Sequence, residues 1–183
     1  MAAPRLSLLL LVLLGSAQAR ELPPATYQQI ARQVGIPAEV LYAVALQESA
    51  LPLRGRLRPW PWTLNVAGRP QRFANQSAAC RALRRALSAT APTRIDIGIA
   101  QINWGYHGHR FASPCAALHP TLNLTVAAQL LREHHRHSGD WLLAAGRYHR
   151  PAGGTPATRY RAGVARHLAR LQFPLHPAMD APP

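Results

Sequence analysis

The chain has 183 residues, a length that suits one domain with a buried core. All 21 of its basic residues are arginine, set against seven acidic residues, for a formal charge of +14. Such a surface attracts polyanions (nucleic acid, acidic envelope polymer or anionic lipid) but says little about the fold, and beyond the leader no stretch is long and apolar enough to span a bilayer.

Residues 1–19 read as a signal peptide. Arg5 gives a short basic start, Leu6 to Leu14 is apolar apart from Ser7, and Ala17-Gln18-Ala19 has the small-x-small form of a cleavage site. No cysteine lies near the cut, so no lipid anchor is expected there. The exported chain then carries two cysteines, Cys80 and Cys115, and an even pair in an oxidising compartment reads as a disulfide.

Taken in order, Thr26 to Val34 reads as a helix ended by Gly35. A second helix follows Pro37 and runs through Glu48-Ser49, with Leu41, Val44, Ala45 and Glu48 spaced along one face. Residues 51–75, rich in Pro, Arg and Trp, lack clean periodicity and read as a long ordered loop; Trp60 and Trp62 within it suit a sugar-binding surface and a core equally. Ser77 to Ala89 is helical. Residues 94–103 alternate apolar with polar or small residues and predict a strand or short hairpin. Residues 104–113 read as a loop. Helices are expected over Leu122 to His137, over Trp141 to Tyr148 behind an Asp140 cap, and over Ala157 to Leu171. Residues 174–183 form a Pro-rich tail, expected to be disordered, which leaves residues 20–173 as the domain.

Glu48 draws attention because a carboxylate occupies a position where the apolar stripe calls for a core residue. It also falls in the last turn of its helix, where the macrodipole disfavours negative charge. Apolar neighbours add to that effect, and together they raise a carboxyl pKa toward the range a general acid needs. Asp96 reads either as an aspartate with a role in the cleft or as one that bonds local backbone at the Gly98 turn. Residues 133–137, Glu-His-His-Arg-His, lack the order of a metal motif and read as a polar helix face.

Four short motifs, in order, carry a resemblance. Glu48-Ser49, the run Asp96-Ile97-Gly98-Ile99-Ala100-Gln101-Ile102-Asn103, Ser113-Pro114-Cys115 followed by Leu122-Asn123-Leu124, and Ala144-Ala145-Gly146-Arg147-Tyr148-His149 resemble the motifs of lytic transglycosylases of the lysozyme-like superfamily. The likeness is greatest to the small exported kind that accompany conjugation, pilus and secretion machines. It implies a mainly α, lysozyme-like α+β domain with a small β element beside the Glu48 helix. It also implies periplasmic cleavage of the β-1,4 bond between N-acetylmuramic acid and N-acetylglucosamine in peptidoglycan, leaving a 1,6-anhydro end, with no metal or cofactor. Carried over residue by residue, Glu48 is the acid and base, Ser49, Gln101 and Asn103 orient glycan or the Glu, and the Tyr148 hydroxyl reaches Glu48. Two positions depart from the family pattern: Ala100 stands where Met is common, and His149 where Asn is. The same Asp-x-Gly run also resembles c-type lysozymes, in which the Asp is the second carboxylate of a retaining hydrolase, so Asp96 leaves lyase and hydrolase open. A non-catalytic peptidoglycan-binding assembly protein is a further reading. Nucleic acid is not an expected partner, and neither is a stable membrane anchor.

Overall fold

The computed structural model describes residues 21–173, so the expected leader and tail lie outside the described residues. The fold is mainly α with small antiparallel sheets. Helix α1 (Ala25–Val34) closes on Gly35, whose φ of 75° is the left-handed turn that a glycine accepts without strain. Helix α2 (Ala38–Ser49) starts immediately after Pro37, which occupies the capping position. The one-face pattern expected for α2 is incomplete. Every residue from Val40 to Ala45 is fully buried and Leu46 is 3% exposed, so the helix is sheathed on all sides. A helix apolar all round belongs at the centre of a core, and α1, α5 (Pro120–Ser138) and α7 (Gly154–Arg170) all pack on it.

The segment read as a loop is instead two hairpins. Strands β1 (Ala50–Leu53) and β2 (Arg56–Pro59) pair antiparallel, as do β3 (Thr63–Val66) and β4 (Arg69–Arg72). Each pair is joined by two residues with positive φ, Arg54-Gly55 (48° and 75°) and Ala67-Gly68 (52° and 82°). That backbone matches the twist of a hairpin, and glycine in the second place makes it accessible. Strand β5 (Ile95–Ile97) joins β3, and β6 (Ile102–Asn103) completes a sheet in the order β4-β3-β5-β6. The expected hairpin over residues 94–103 is therefore present as β5 and β6. Residues 104–113 are not a plain loop: Asn103 caps a one-turn helix, α4 (Trp104–His107), and a 3-10 turn follows over Gly108–Arg110. Helix α3 is Gln76–Ala89 behind an Asn75 cap, and α6 is Trp141–His149 behind Asp140. The remaining expected helices are thus present, α3, α5 and α7 with slightly earlier starts and α6 with the expected one.

Two apolar cores result. The larger joins α1, α2, α5 and α7 with Ile99, Ala100 and Ile102. The smaller joins Leu64, Ile95 and Ile97 of the sheet to α3 and to Ala117 and Leu118. The chain passes from the smaller core to the larger between Ile97 and Ile99, just after Asp96. A Cys80–Cys115 disulfide ties α3 to the 3-10 turn Pro114–Leu118, as expected for the two cysteines. Trp62 packs against the smaller core, and the Trp60 indole donates to the Phe73 carbonyl at 2.8 Å. Among the described residues no helix is long and apolar enough to cross a membrane.

Candidate active site

Glu48 sits in the last turn of α2, with its side chain only partly open to solvent. Burial pushes its pKa up to about 8; a hydrogen bond from Tyr160 opposes the rise and the nearby Asp96 charge adds to it. The Tyr160 hydroxyl donates to Glu48 Oε1 at 2.7 Å, from α7, which packs along α2. The Tyr160 ring is stacked under His149, with centroids 4.5 Å apart and planes 5° from parallel.

Asp96 lies opposite, within a row of three side chains across the sheet. Asn65 on β3, Asp96 on β5 and Asn103 on β6 are direct cross-strand partners. The Asn65 amide donates to Asp96 Oδ2 at 3.0 Å and the Asn103 amide to Oδ1 at 2.8 Å, so both carboxylate oxygens are held. Burial raises the Asp96 pKa, while these two amides and the nearby His149 act to lower it. Of the two readings of Asp96, the geometry thus gives a carboxylate fixed by side-chain amides and close to Glu48. Asn65 keeps its own Oδ1 buried without a partner, an unfilled acceptor beside Asp96.

The other expected residues serve the scaffold. Ser49 is 1% exposed, and its hydroxyl donates to the Ile99 carbonyl at 2.6 Å rather than orienting Glu48 or a ligand. The Gln101 amide donates to the Gly98 carbonyl at 2.8 Å. Tyr148 does not hold Glu48 as expected: its hydroxyl donates to the Ala100 carbonyl at 2.6 Å, and Tyr160 takes the place at the carboxyl. The last turn of α6 faces the β5–β6 connection, whereas α7 lies along the Glu48 helix. Asn103 does meet Asp96, and its own oxygen caps α4. Asn123, fully buried, donates to the carbonyls of Ile97 and Ala117 and accepts from Ala100 N. It also explains Gly98: φ is 85° there, and a Cβ would lie 2.5 Å from Asn123 Nδ2.

Three site residues were not read from sequence. Asn65 lay in the segment taken as a loop. Asn123 stood inside a quoted motif without a role. Tyr160 belongs to the stripe Ala157, Tyr160, Val164, Leu168, which reads as plain core. The available signal was its hydroxyl, because a buried tyrosine needs a hydrogen-bond partner. At the expected polar face on α5, Glu133 accepts two bonds of 2.9 Å from Arg110, and His135 stacks on Trp141 with centroids 3.7 Å apart.

Fold and centre together describe a mainly α domain in which one protonatable carboxyl, held by a tyrosine, faces a second carboxylate held by two amides. Comparison with protein-family models and with curated proteins gives no match.

The Tyr160 bond favours the charged form of Glu48, so removing it raises the carboxyl pKa further. Tyr160→Phe keeps the ring on His149 and loses only the donor. The alkaline limb of any Glu48-dependent reaction is expected to move up by roughly one pH unit, with a rate loss of about tenfold where Glu48 must act as a base. A pH–rate profile of the two proteins checks this; superimposable limbs would show that the bond does not tune Glu48.

Proposed function

We propose that the protein is a peptidoglycan lytic transglycosylase that cleaves the bond between N-acetylmuramic acid and N-acetylglucosamine. The observation that carries the reading is Glu48, a carboxyl kept protonated near neutral pH in the last turn of a buried helix, beside a tyrosine donor and a second carboxylate. In this reaction Glu48 gives its proton to the glycosidic oxygen as the C1–O bond breaks. The muramic acid 6-hydroxyl oxygen bonds to C1, and its proton returns to Glu48. No water is consumed, and one group serves as acid and then base. Asp96, with both oxygens held by amides, acts as a fixed negative charge toward the oxocarbenium-like centre.

A retaining muramidase is the second reading, favoured by the nearness of Asp96 to Glu48. The experiment is mass spectrometry of the soluble products from purified sacculi. Anhydro-muropeptides support the lyase, and reducing-end products transfer the assignment to the hydrolase with Asp96 as nucleophile. Sacculus binding without release fits a non-catalytic assembly protein instead. Export to the periplasm and service to a conjugation, pilus or secretion apparatus belong to the same proposal, supported by the leader-like N-terminus and the disulfide.

A further inference from the structure

His149 is the last residue of α6, exposed to solvent, and its backbone is fixed by the cap that follows, where Arg150 N donates to the Gly146 carbonyl at 3.0 Å. Its ring lies flat on Tyr160, the residue whose hydroxyl holds Glu48. Helices α6 and α7 come this close because Gly146, one turn before His149, carries no side chain. A Cβ there would lie 2.8 Å from Arg161 Cγ and 3.4 Å from the Ala157 carbonyl oxygen. Tyr160 is thereby enclosed, 6% exposed, with an imidazole on its face and a carboxyl at its hydroxyl. The same imidazole lies near Asp96, and the charge of each bears on the titration of the other. The groups that face His149 are thus Tyr160 from α7, Asp96 from β5 and Arg150, its chain neighbour.

We infer that His149 is a positioning residue that couples the two carboxyl groups: its ring holds the Tyr160 phenol in place to donate to Glu48, and its charge sets how much of the Asp96 charge a substrate meets. The inference rests on the proposed function and adds a third titrating group to it. A phenol pinned against a flat ring has its orientation fixed before the substrate arrives, so the donor to Glu48 needs no ordering during the reaction. A neutral imidazole leaves the Asp96 charge free to act on the oxocarbenium-like centre, whereas an imidazolium beside it offsets that charge. Burial lowers the His149 pKa from the ordinary 6.5; the Asp96 charge opposes the fall and Arg150 adds to it. The ring is therefore neutral at neutral pH. Activity is then highest between the protonation of His149 on the acid side and the ionisation of Glu48, at about 8, on the alkaline side.

The test uses the full protein and separates the two roles. His149→Phe keeps a flat ring and loses the charge, His149→Ala loses both, and Asp96→Asn removes the charge that His149 meets. In an NMR titration of histidine-labelled protein, Asp96→Asn is expected to lower the His149 midpoint by about one pH unit. In pH–rate profiles on purified sacculi, His149→Phe is expected to move the acid limb down by about one pH unit and to keep the plateau kcat within about threefold. His149→Ala is expected to move the limb in the same way and to lose about tenfold in plateau kcat with KM unchanged, because Tyr160 loses its support. Superimposable acid limbs for wild type and His149→Phe overturn the inference, as does a His149→Ala plateau equal to wild type. A raised KM at constant kcat also overturns it, since His149 would then bind substrate rather than position Tyr160. The titration needs no turnover. A wild type that cleaves nothing overturns the proposed function, and the titration alone then decides the coupling: a shifted His149 midpoint supports it and an unmoved one overturns it.

Discussion

Under the proposed function, Glu48→Gln is expected to abolish strand cleavage to within measurement, a loss of about a thousandfold or more, and to leave sacculus binding in place. The same substitution is expected to stabilise the fold, because the wild-type carboxyl must ionise in a site that resists its charge. With a folded pKa of about 8 against 4.5 for the free group, the folded protein binds more protons than the unfolded chain between those values. The Glu48 contribution to wild-type stability is therefore most favourable below pH 4.5 and declines as pH rises toward 8. The full difference corresponds to about 5 kcal/mol, and the partial solvent access of Glu48 reduces the realised gain to roughly 1–3 kcal/mol above pH 8. Urea unfolding of both proteins at pH 5 and pH 9 checks this. A Gln variant no more stable at pH 9 than at pH 5, relative to wild type, would mean that the carboxyl is not raised.

Loss of the disulfide is the second large effect. Cys80 and Cys115 are 35 residues apart in sequence, and cross-linking such a loop stabilises by about 4 kcal/mol in the chain-entropy account. Cys80→Ser with Cys115→Ser is expected to lower the melting temperature by roughly 10 °C, and a reductant is expected to do the same to the wild type. The bridge also holds the turn Pro114–Leu118, whose Ala117 carbonyl is one of the two that Asn123 grips beneath Gly98. Weakening should therefore reach the Asp96 strand before it reaches α1. Hydrogen exchange reads that order, and uniform loss of protection across the chain would contradict it.

The helices were legible because their apolar spacing and caps are local signals: Gly35 and Gly139 end two of them and Asp140 begins another. Glu48 was legible as a charge in an apolar stripe. The two hairpins were not. Their strands are short and carry arginine and proline on solvent-facing positions, so no alternation marks them, and β4 is exposed along its whole length. The signal present was smaller, a glycine second in each two-residue turn. Roles were harder than positions. Ser49, Gln101 and Tyr148 were found as polar residues near the centre, yet which atom each one meets depends on how α2, α5, α6 and α7 converge, and that convergence has no local spelling. Tyr160 reaches Glu48 across 112 residues of chain, a separation that no motif spans.

The connection from β5 to β6 bears on how freely this protein can change. Four consecutive carbonyls, those of Ile97, Gly98, Ile99 and Ala100, are each taken by a side chain: Asn123, Gln101, Ser49 and Tyr148 respectively. The grip falls on peptide units, so the side chains at positions 97, 99 and 100 answer only to volume and apolarity. Alanine at 100, where methionine is common in the resembled family, leaves the grip intact. Tolerance is thus unevenly shared. Positions 97, 99 and 100 of the connection can drift within those limits, while Asn123, Ser49 and Tyr148, on three distant helices, each hold a carbonyl of it that the others do not reach.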